Sequence, residues 1–288
     1  MVTAGSRGPA FLGMGAQKAA TSWIYACLAE HPQIYMPAKE IHFFSKNAKW
    51  HRGYDWYESL FSGGPPGRVG GEFSTSYMAF PEAAERISRR YPRVRLFACL
   101  RNPIDRAFSN YMNDVMRGAV DPGISFEQAL ENHPEYIEQG RYYHLLEPFL
   151  ERFHRQSLLL LVFDDIARDP SSFLKRIYAH IGVADHRPAA LHRRINVSRR
   201  PRSVFLERQL IAASSLLQQA GLKKVWWTFK KIGIGDLLRR INSSPSGPAS
   251  EADSLNPPQR RVLYRLFEDD IQRLSELIRR PLEEEWRP

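Results

Sequence analysis

Residues 9–22 read PAFLGMGAQKAATS, and this stretch decides the fold. Residues 9–15 form a short apolar run that ends in glycines, which is typical of a buried strand that leads into a tight turn. From Thr21 to Glu30 the apolar side chains recur at helical spacing. The stretch therefore predicts a strand, a loop and a helix in immediate succession.

The same order of elements recurs along the chain. Residues 93–100 and 157–163 are apolar runs followed by segments with one apolar helical face, the second of which starts near Pro170 and stops at Gly182. A shorter strand at 68–72 precedes a helix over 81–90, and further helices are predicted over 141–153, 204–220 and 257–278. Continuous apolar strands that alternate with helices indicate a parallel sheet covered on both faces. We expect an α/β, P-loop-like three-layer fold, with a central parallel sheet flanked by helices and with C-terminal helical additions.

The composition indicates which broad class of protein this is. Of the 288 residues, 43% are hydrophobic, so an ordinary buried core is expected. Cys27 and Cys99 each lie in an apolar run, which indicates reduced core residues and a cytoplasmic location. The first nine residues lack the apolar stretch of a signal peptide, and no run of about 18 apolar residues occurs, so neither export nor a membrane-spanning helix is expected.

A formal net charge of +10 predicts attraction to polyanions, but charge alone does not choose among nucleic acid, anionic lipid, nucleotides and acidic glycans. A nonenzymatic protein that binds nucleic acid or another polyanion is therefore one alternative function. Residues 223–231 are basic and aromatic, which leaves peripheral contact with an anionic surface open.

The loop after the first predicted strand has the composition of an anion-binding site. Small residues let backbone N–H groups approach a phosphate, the following helix N-terminus carries partial positive charge, and Lys18 adds a full charge. Thr21 and Ser22 add hydroxyl donors. The loop is not a Walker A sequence, because Gln17 precedes the lysine and Ala19 follows it. This disfavours a magnesium-dependent P-loop phosphotransferase, which is a second alternative function. The loop could also be an ordinary strand-to-helix turn that binds no anion.

Two further sets of residues carry chemistry. Arg101 directly follows the second apolar strand and Ser109 lies about two helical turns later, so both are expected to face the carboxyl edge of the sheet. A guanidinium there suits a second phosphate, although an ion pair at a strand end fits equally well. Glu40 and His42 would share one side of an extended segment and could act as general base and helper on one hydroxyl, while an exposed Glu and a core His remain open.

Taken together, residues 13–22, the KEIHFF segment at 39–44, the LRNP segment at 100–103 with 109–111, and residues 164–170 resemble the sulfotransferases that use 3′-phosphoadenosine 5′-phosphosulfate (PAPS). The resemblance is to the heparan sulfate sulfotransferase-like group and its bacterial relatives, and it covers most of the chain. It implies an enzyme that transfers the sulfuryl group of PAPS to a carbohydrate, lipid or natural-product hydroxyl, releases PAP and needs no metal.

The resemblance also assigns roles to residues. The loop that holds the 5′-phosphosulfate of PAPS is matched by Lys18, Ala19, Ala20, Thr21 and Ser22, and the pair that holds the 3′-phosphate is matched by Arg101 and Ser109. Glu40 matches the catalytic base of the glycan enzymes and His42 the neighbouring histidine, although His42 as the principal base stays open. Lys18 would stabilise the leaving oxygen of PAP.

Two departures from the family pattern bear on the acceptor and on closure over the donor. The glycan enzymes often carry a Lys where this chain has Phe73, so a second cation near the sulfuryl group is missing and a strongly anionic acceptor is less expected. Their cysteine-bearing loop is absent, and residues 195–203 stand where a donor-closing segment is expected. Arg199 and Arg200 are the donor-binding candidates there, with a solvated basic loop as the alternative.

We therefore predict a single sulfotransferase domain over residues 1–288, with a flexible N-terminus at 1–8 and acceptor-side helices and a loop at 195–255. The expected partner is a hydroxyl-bearing small molecule or glycan, and nucleic acid is not expected as a partner.

Overall fold

The computed structural model describes residues 8–121, 123–193, 199–201, 243–245 and 255–288. The chain divides into two compact units. The first comprises Met1–Arg106, Gln139–Asn196 and Tyr264–Arg287, and the second comprises Ala107–Glu138, Val197–Leu263 and Pro288. The single domain over 1–288 stays a prediction, and residues 1–7 of the predicted flexible N-terminus lie outside the described residues.

A five-stranded parallel sheet forms the centre of the first unit. Its strands are β1 (Phe11–Gly15), β2 (Ile34–Tyr35), β3 (Val69–Phe73), β4 (Arg95–Leu100) and β5 (Leu158–Val162), in the order β2-β3-β1-β4-β5. Every neighbouring pair in this sheet is parallel. All residues of β1 are buried, as its continuous apolar sequence predicts.

Helices connect and flank these strands. Numbered along the described residues, they are α1 (Thr21–Ala29), α2 (Asn47–Trp50), α3 (Gly53–Ser59), α4 (Pro81–Arg90), α5 (Pro103–Arg117), α6 (Phe126–Asn132), α7 (Glu135–Glu138), α8 (Tyr142–Arg152), α9 (Asp164–Arg168), α10 (Pro170–Ile181), α11 (Pro257–Arg265), α12 (Glu268–Ile278) and α13 (Leu282–Glu285). A central parallel sheet flanked by helices confirms the predicted α/β, P-loop-like fold class.

Local sequence signals fix both ends of α10. The side chain of Asp169 caps the helix by accepting the N–H of Ser172 at 2.9 Å, and Pro170 occupies the first turn. Gly182 ends the helix in the left-handed conformation, with φ of 87°. The predicted start near Pro170 and stop at Gly182 are confirmed.

The single helix predicted over 257–278 is wrong, because the structure has two helices, α11 and α12, with a break before Glu268. Phe267 at the break is fully buried. Three acidic residues then open α12, where a helix N-terminus favours negative charge. One of them, Asp270, also accepts the N–H groups of Tyr143 and His144 at the start of α8, each at 3.0 Å.

Two glycines allow aromatic rings to pack against the sheet. A Cβ atom on Gly13 would lie 2.4 Å from the ring of Phe73, and one on Gly71 would lie 2.2 Å from the ring of Phe11. Both phenylalanines are buried in the core. Gly13, which the sequence placed in an anion-binding loop, is therefore needed for packing within the sheet.

The second unit contains residues 107–117 of α5 together with α6, α7 and the first residues of α11. Ser125 and Gln128 form a capping box at the start of α6. Short strands β6 (Arg199–Pro201) and β7 (Ser243–Pro245) pair antiparallel. The helix predicted over 204–220 lies outside the described residues, as does most of the segment 195–255.

Candidate active site

The loop after β1 lies at the carboxyl edge of the sheet. It begins where β1 and β4 end, because the N–H of Ala16 donates to the carbonyl of Cys99 at 2.8 Å. Lys18 and Ala20 both have left-handed backbones, with φ of 67° and 56°. Left-handed residues at alternate positions turn successive N–H groups toward one concave side, which is an anion-binding geometry.

The helix α1 starts directly after this loop. Its N-cap residue, Ala20, has no side chain that could accept an N–H group of the first turn. The first-turn N–H groups of a helix carry partial positive charge and suit a phosphate. At the same end of the helix, the Lys39 ammonium donates to the hydroxyl of Ser22 at 2.7 Å. The loop, the helix N-terminus and Lys39 therefore form one cationic region.

Arg101 follows β4 and reaches this loop. Its guanidinium donates to the carbonyl of Lys18 at 3.2 Å and lies 4.9 Å from the centre of the Phe163 ring. The hydroxyl of Tyr142 donates to the backbone carbonyl of Arg101 at 2.8 Å and anchors the strand end. Two of the segments that the sequence singled out, around Lys18 and Arg101, are thus in direct contact.

Three predicted donor-binding residues belong to the second unit. Ser109 lies on α5 and is 7% exposed. Arg199 and Arg200 lie in β6, where they pair with Pro245 and Ser244 of β7. The side chains of both arginines lie outside the described part of the chain, and all three assignments stay predictions.

Glu40 and His42 lie close together on the segment before α2. The His42 Nε2 atom is 3.6 Å from the Glu40 carboxylate, and the two side chains are 13% and 39% exposed respectively. The hydroxyl of Thr75 lies 3.5 Å from the other carboxylate oxygen. The pair therefore presents a partly exposed carboxylate beside a largely buried imidazole.

The extended backbone expected for this pair is wrong. Glu40 and His42 have left-handed φ angles of 55° and 56°. Hydrogen bonds to the end of β3 hold this conformation: the N–H of Glu40 donates to the carbonyl of Phe73 at 3.1 Å, and the N–H of His42 donates to the hydroxyl of Ser74 at 2.9 Å. The side chains meet because tertiary contacts bend the segment, and not because they alternate along a strand.

The surroundings keep Glu40 ionised. The adjacent His42 side chain is the largest cause that lowers the pKa of Glu40, and the positive charge of Lys39 acts in the same direction. Partial burial raises the pKa of the same carboxyl and opposes these effects only in part. An ionised carboxylate beside an imidazole is an arrangement suited to removing a proton from a hydroxyl.

Sequence reasoning missed the serines that surround His42. The Nδ1 atom of His42 lies 2.6 Å from the hydroxyl of Ser76, and that hydroxyl lies 2.5 Å from the hydroxyl of Ser45. The available signal was the polar run from Ser74 to Ser76 directly after β3, since the residues that follow buried parallel strands line the ligand-binding edge.

The described residues contain neither a metal-binding cluster nor a membrane-spanning helix. No group of three or more His, Cys, Asp or Glu side chains among them is arranged to hold a metal ion. Among the helices of the same residues, none combines the length and the apolar character needed to cross a membrane.

In sequence the chain is similar to glycan sulfotransferases. It is 28% identical over 202 residues to the human bifunctional heparan sulfate N-deacetylase/N-sulfotransferase 3, with 62% of this chain and 23% of that protein covered. It is also 28% identical over 184 residues to the mouse heparan sulfate glucosamine 3-O-sulfotransferase 3B1, with 61% of this chain and 46% of that protein covered. The chain thus spans less than half the length of these relatives.

A solved structure is similar to this chain over most of its length. The crystal structure of a sulfotransferase from Alicyclobacillus acidocaldarius has a TM-score of 0.68 and 26% sequence identity, with 97% of this chain and 99% of that chain covered. The sequence model of the family described as "Sulfotransferase domain" matches residues 9–200, which is more than half of the 288 residues. The matched range contains all five strands of the parallel sheet and the segments around Lys18, Glu40 and Arg101. The chain therefore belongs to the sulfotransferase domain family.

Proposed function

We propose that this chain transfers the sulfuryl group of PAPS to an acceptor hydroxyl. The contact between Lys39 and Ser22 carries the proposal, because at 2.7 Å it joins the segment of Glu40 and His42 to the N-terminus of α1. A pair that can remove a proton therefore lies beside a loop suited to a phosphate-like anion. Membership of the sulfotransferase domain family supports the same reaction.

The donor would be held by its two charged ends. We assign the 5′-phosphosulfate to the loop and the first turn of α1, because the N–H groups there converge and Lys18 adds a full charge. We assign the 3′-phosphate to Arg101 with Ser109, since a guanidinium recognises a phosphate through paired hydrogen bonds. We also propose that Arg199 and Arg200 bind the donor from a segment that closes over it.

The proposed transfer replaces one oxygen–sulfur bond with another. The acceptor oxygen forms a bond to the sulfur while the bond from sulfur to the bridging oxygen of PAP breaks. The acceptor proton passes to the base, and the negative charge that develops on the bridging oxygen is stabilised by Lys18. The products are the sulfated acceptor and PAP, and the independence of this scheme from a metal stays a prediction.

We assign Glu40 as the base and His42 as the residue that orients it. The carboxylate is 39% exposed and is held ionised, so it is available to an incoming hydroxyl. The imidazole is only 13% exposed and lies between the Glu40 carboxylate and the Ser76 hydroxyl. This placement favours a histidine that fixes the carboxylate over one that takes the acceptor proton itself.

The acceptor class is proposed from the relatives and from β3. The 3-O-sulfotransferase relative is named for a glucosamine oxygen of heparan sulfate, so a carbohydrate hydroxyl is the first candidate, and lipid or natural-product alcohols follow. Phe73, where the glycan enzymes often carry a lysine, is buried against Gly13, so the end of β3 supplies no cation at that position. This favours an acceptor with little negative charge. We also retain the cytoplasm as the proposed location, because Cys27 and Cys99 are free and buried.

The function is tested by following radiolabelled sulfur from PAPS into a set of acceptors: unsulfated heparosan, heparan sulfate, a long-chain alcohol and p-nitrophenol. The wild-type protein should label at least one acceptor, and Glu40→Gln should lower kcat by roughly 100-fold or more, as expected on loss of a general base. Glu82→Gln, on an exposed residue in the first turn of α4, is the matched control.

Full activity of Glu40→Gln would refute the assignment of the base and leave His42 as the candidate. The absence of transfer to every acceptor, together with magnesium-dependent turnover of ATP, would instead support the phosphotransferase alternative.

A further inference from the structure

One buried carboxylate is linked through hydrogen-bonded hydroxyls to the segment that carries the proposed base. Glu72 is on β3, next to the central strand, and its side chain has no exposed surface. Its carboxylate accepts three hydroxyl hydrogen bonds, from Tyr57 at 2.7 Å, from Tyr77 at 2.5 Å and from Ser74 at 2.7 Å. Such a set of donors is what a buried ionised carboxylate needs.

Two of these hydroxyls also contact the segment that carries the proposed base. The hydroxyl of Ser74 accepts the N–H of His42 at 2.9 Å, and the hydroxyl of Tyr77 accepts the N–H of Phe43 at 3.1 Å. A hydroxyl has a single proton to donate. Because each hydroxyl gives that proton to Glu72, its lone pairs are left to receive the two backbone N–H groups.

The segment needs this support. Left-handed backbone conformations are unfavourable for residues other than glycine and persist only where the surroundings fix them. Both Glu40 and His42 adopt such a conformation. The hydrogen bonds at His42 and Phe43, together with that from the N–H of Glu40 to Phe73, therefore hold the backbone on which the carboxylate and the imidazole depend.

We propose that Glu72 is a positioning residue for sulfuryl transfer: it orients the hydroxyls of Ser74 and Tyr77, which in turn hold the backbone of His42 and Phe43. This inference rests on the proposed role of Glu40 and His42. Glu72 touches neither donor nor acceptor, and it acts through the geometry of the pair above it.

Burial is the largest of several opposing effects on the pKa of Glu72, and the net shift is upward. Burial raises the pKa of its carboxyl, while the hydroxyl donors from Tyr77, Ser74 and Tyr57 favour the ionised form. Burial also raises the pKa of Tyr57 and Tyr77 well above the ordinary tyrosine value, so both phenols keep the protons that they donate.

A matched pair of tyrosines separates positioning from ordinary packing. Tyr57 and Tyr77 are both fully buried and both donate to the same oxygen of Glu72. Of these two tyrosines, Tyr77 is the one whose hydroxyl accepts the backbone N–H of Phe43. The variants Tyr57→Phe and Tyr77→Phe therefore remove the same group from the same carboxylate, but only the second breaks a hydrogen bond to the base segment.

The first experiment measures amide hydrogen exchange at residues 42 and 43 by NMR, which requires no acceptor and no activity. Tyr77→Phe should accelerate exchange of the Phe43 amide by at least about tenfold relative to Tyr57→Phe. Glu72→Gln should accelerate exchange at both His42 and Phe43. The side-chain NH₂ of the glutamine would donate to a hydroxyl that now donates to Glu72, and the hydroxyls would lose the orientation in which they accept the backbone N–H groups. Exchange in β1 and β4 reports any general loss of stability in the same samples.

The second experiment measures kcat with the acceptor identified by the sulfur-transfer assay, together with the Kd for PAP. Glu72→Gln should lower kcat by at least about tenfold and leave the Kd for PAP unchanged, since the donor loop does not depend on Glu72. Glu58→Gln is the control, because Glu58 is another buried carboxylate of the same region that accepts hydrogen bonds from Arg90 and Tyr91, each at 2.9 Å.

Equal exchange rates at Phe43 in the two tyrosine variants, or a kcat for Glu72→Gln that matches that of Glu58→Gln, would overturn the positioning role. If the wild-type protein transfers no sulfur, the proposed function fails, but the exchange experiment still decides whether Glu72 holds the segment.

Discussion

The donor loop, residues 15–22, and the base segment, residues 39–44, are held in place by different kinds of contact. The donor loop is shaped by backbone, through the N–H of Ala16 on β4, the left-handed conformations at Lys18 and Ala20, and the start of α1. The base segment is shaped by hydroxyls that follow β3. We therefore expect substitutions of the residues that hold the base segment to impair proton removal without impairing donor binding.

The largest effect that separates the two regions is expected for His42→Ala. Loss of the imidazole frees the Glu40 carboxylate, and kcat should fall by roughly 100-fold, the lower end of what positioned proton-transfer groups contribute. The Kd for PAP should not change, because the donor loop is held independently. Steady-state kinetics and calorimetry measure the two quantities, and a parallel loss of PAP affinity would contradict the separation of the two regions.

The same variant predicts a change in pH dependence. The adjacent His42 side chain is the largest cause of the lowered pKa of Glu40. A general base is active when it is ionised, so activity is lost as the pH falls through its pKa. The pH at which kcat/KM falls on the acid side should therefore lie below the ordinary Glu pKa of about 4.3. In His42→Ala that fall should move to higher pH. A fall at unchanged pH would show that His42 does not control the ionisation of Glu40.

A smaller effect is expected from Gly13→Ala, which tests the strand beneath the donor loop. The added Cβ would lie 2.4 Å from the ring of Phe73, so the core must shift. We expect the free energy of unfolding to fall by about 1–3 kcal/mol, as for other overpacked cores. Urea unfolding provides the measurement, and Gly63→Ala is the control, because there the nearest atom is the hydroxyl oxygen of Tyr35 at 3.2 Å. Equal stability of the two variants would contradict this account of the packing.

The smallest effect is expected from Lys39→Met, which cuts the side-chain contact between the two regions. Its hydrogen bond to Ser22 is exposed to solvent, and exposed charged contacts contribute at most about 1 kcal/mol. We expect kcat to fall by about threefold, because the cation next to Glu40 and the donor loop is lost. Lys46→Met, on a nearby exposed residue, should leave kcat unchanged. A kcat equal to that of the control would show that Lys39 plays no part in the reaction.

The sheet and the donor loop could be predicted from sequence because their signals are local. Strands buried on both faces need continuous apolar runs, which β4 and β5 supply, and α10 carries its own cap and stop at Asp169 and Gly182. The two residues of β2 are too few to give a period, and no strand was predicted there. The break between α11 and α12 depends on the burial of Phe267, which the helical spacing does not reveal.

The support of the base segment could not be predicted in the same way. A glutamate such as Glu72 is almost never fully buried unless it is paired, and no sequence pattern indicates that its partners are Tyr57 and Tyr77. The left-handed backbone of Glu40 and His42 likewise follows from contacts with residues more than 30 positions away. The sequence motif indicated the pair, and the tertiary contacts explain how the pair is held.

The most direct test of the donor assignment is calorimetric titration of the protein with PAP, ATP and ADP. The wild-type protein should bind PAP in preference to both other nucleotides, and Arg101→Ala should weaken PAP binding by at least about tenfold, as expected for a charge-assisted hydrogen bond. Arg89→Ala, on a guanidinium that is 69% exposed on α4, should bind PAP like the wild type. No binding of PAP, or no preference over ATP, would contradict the assignment of PAPS as the donor.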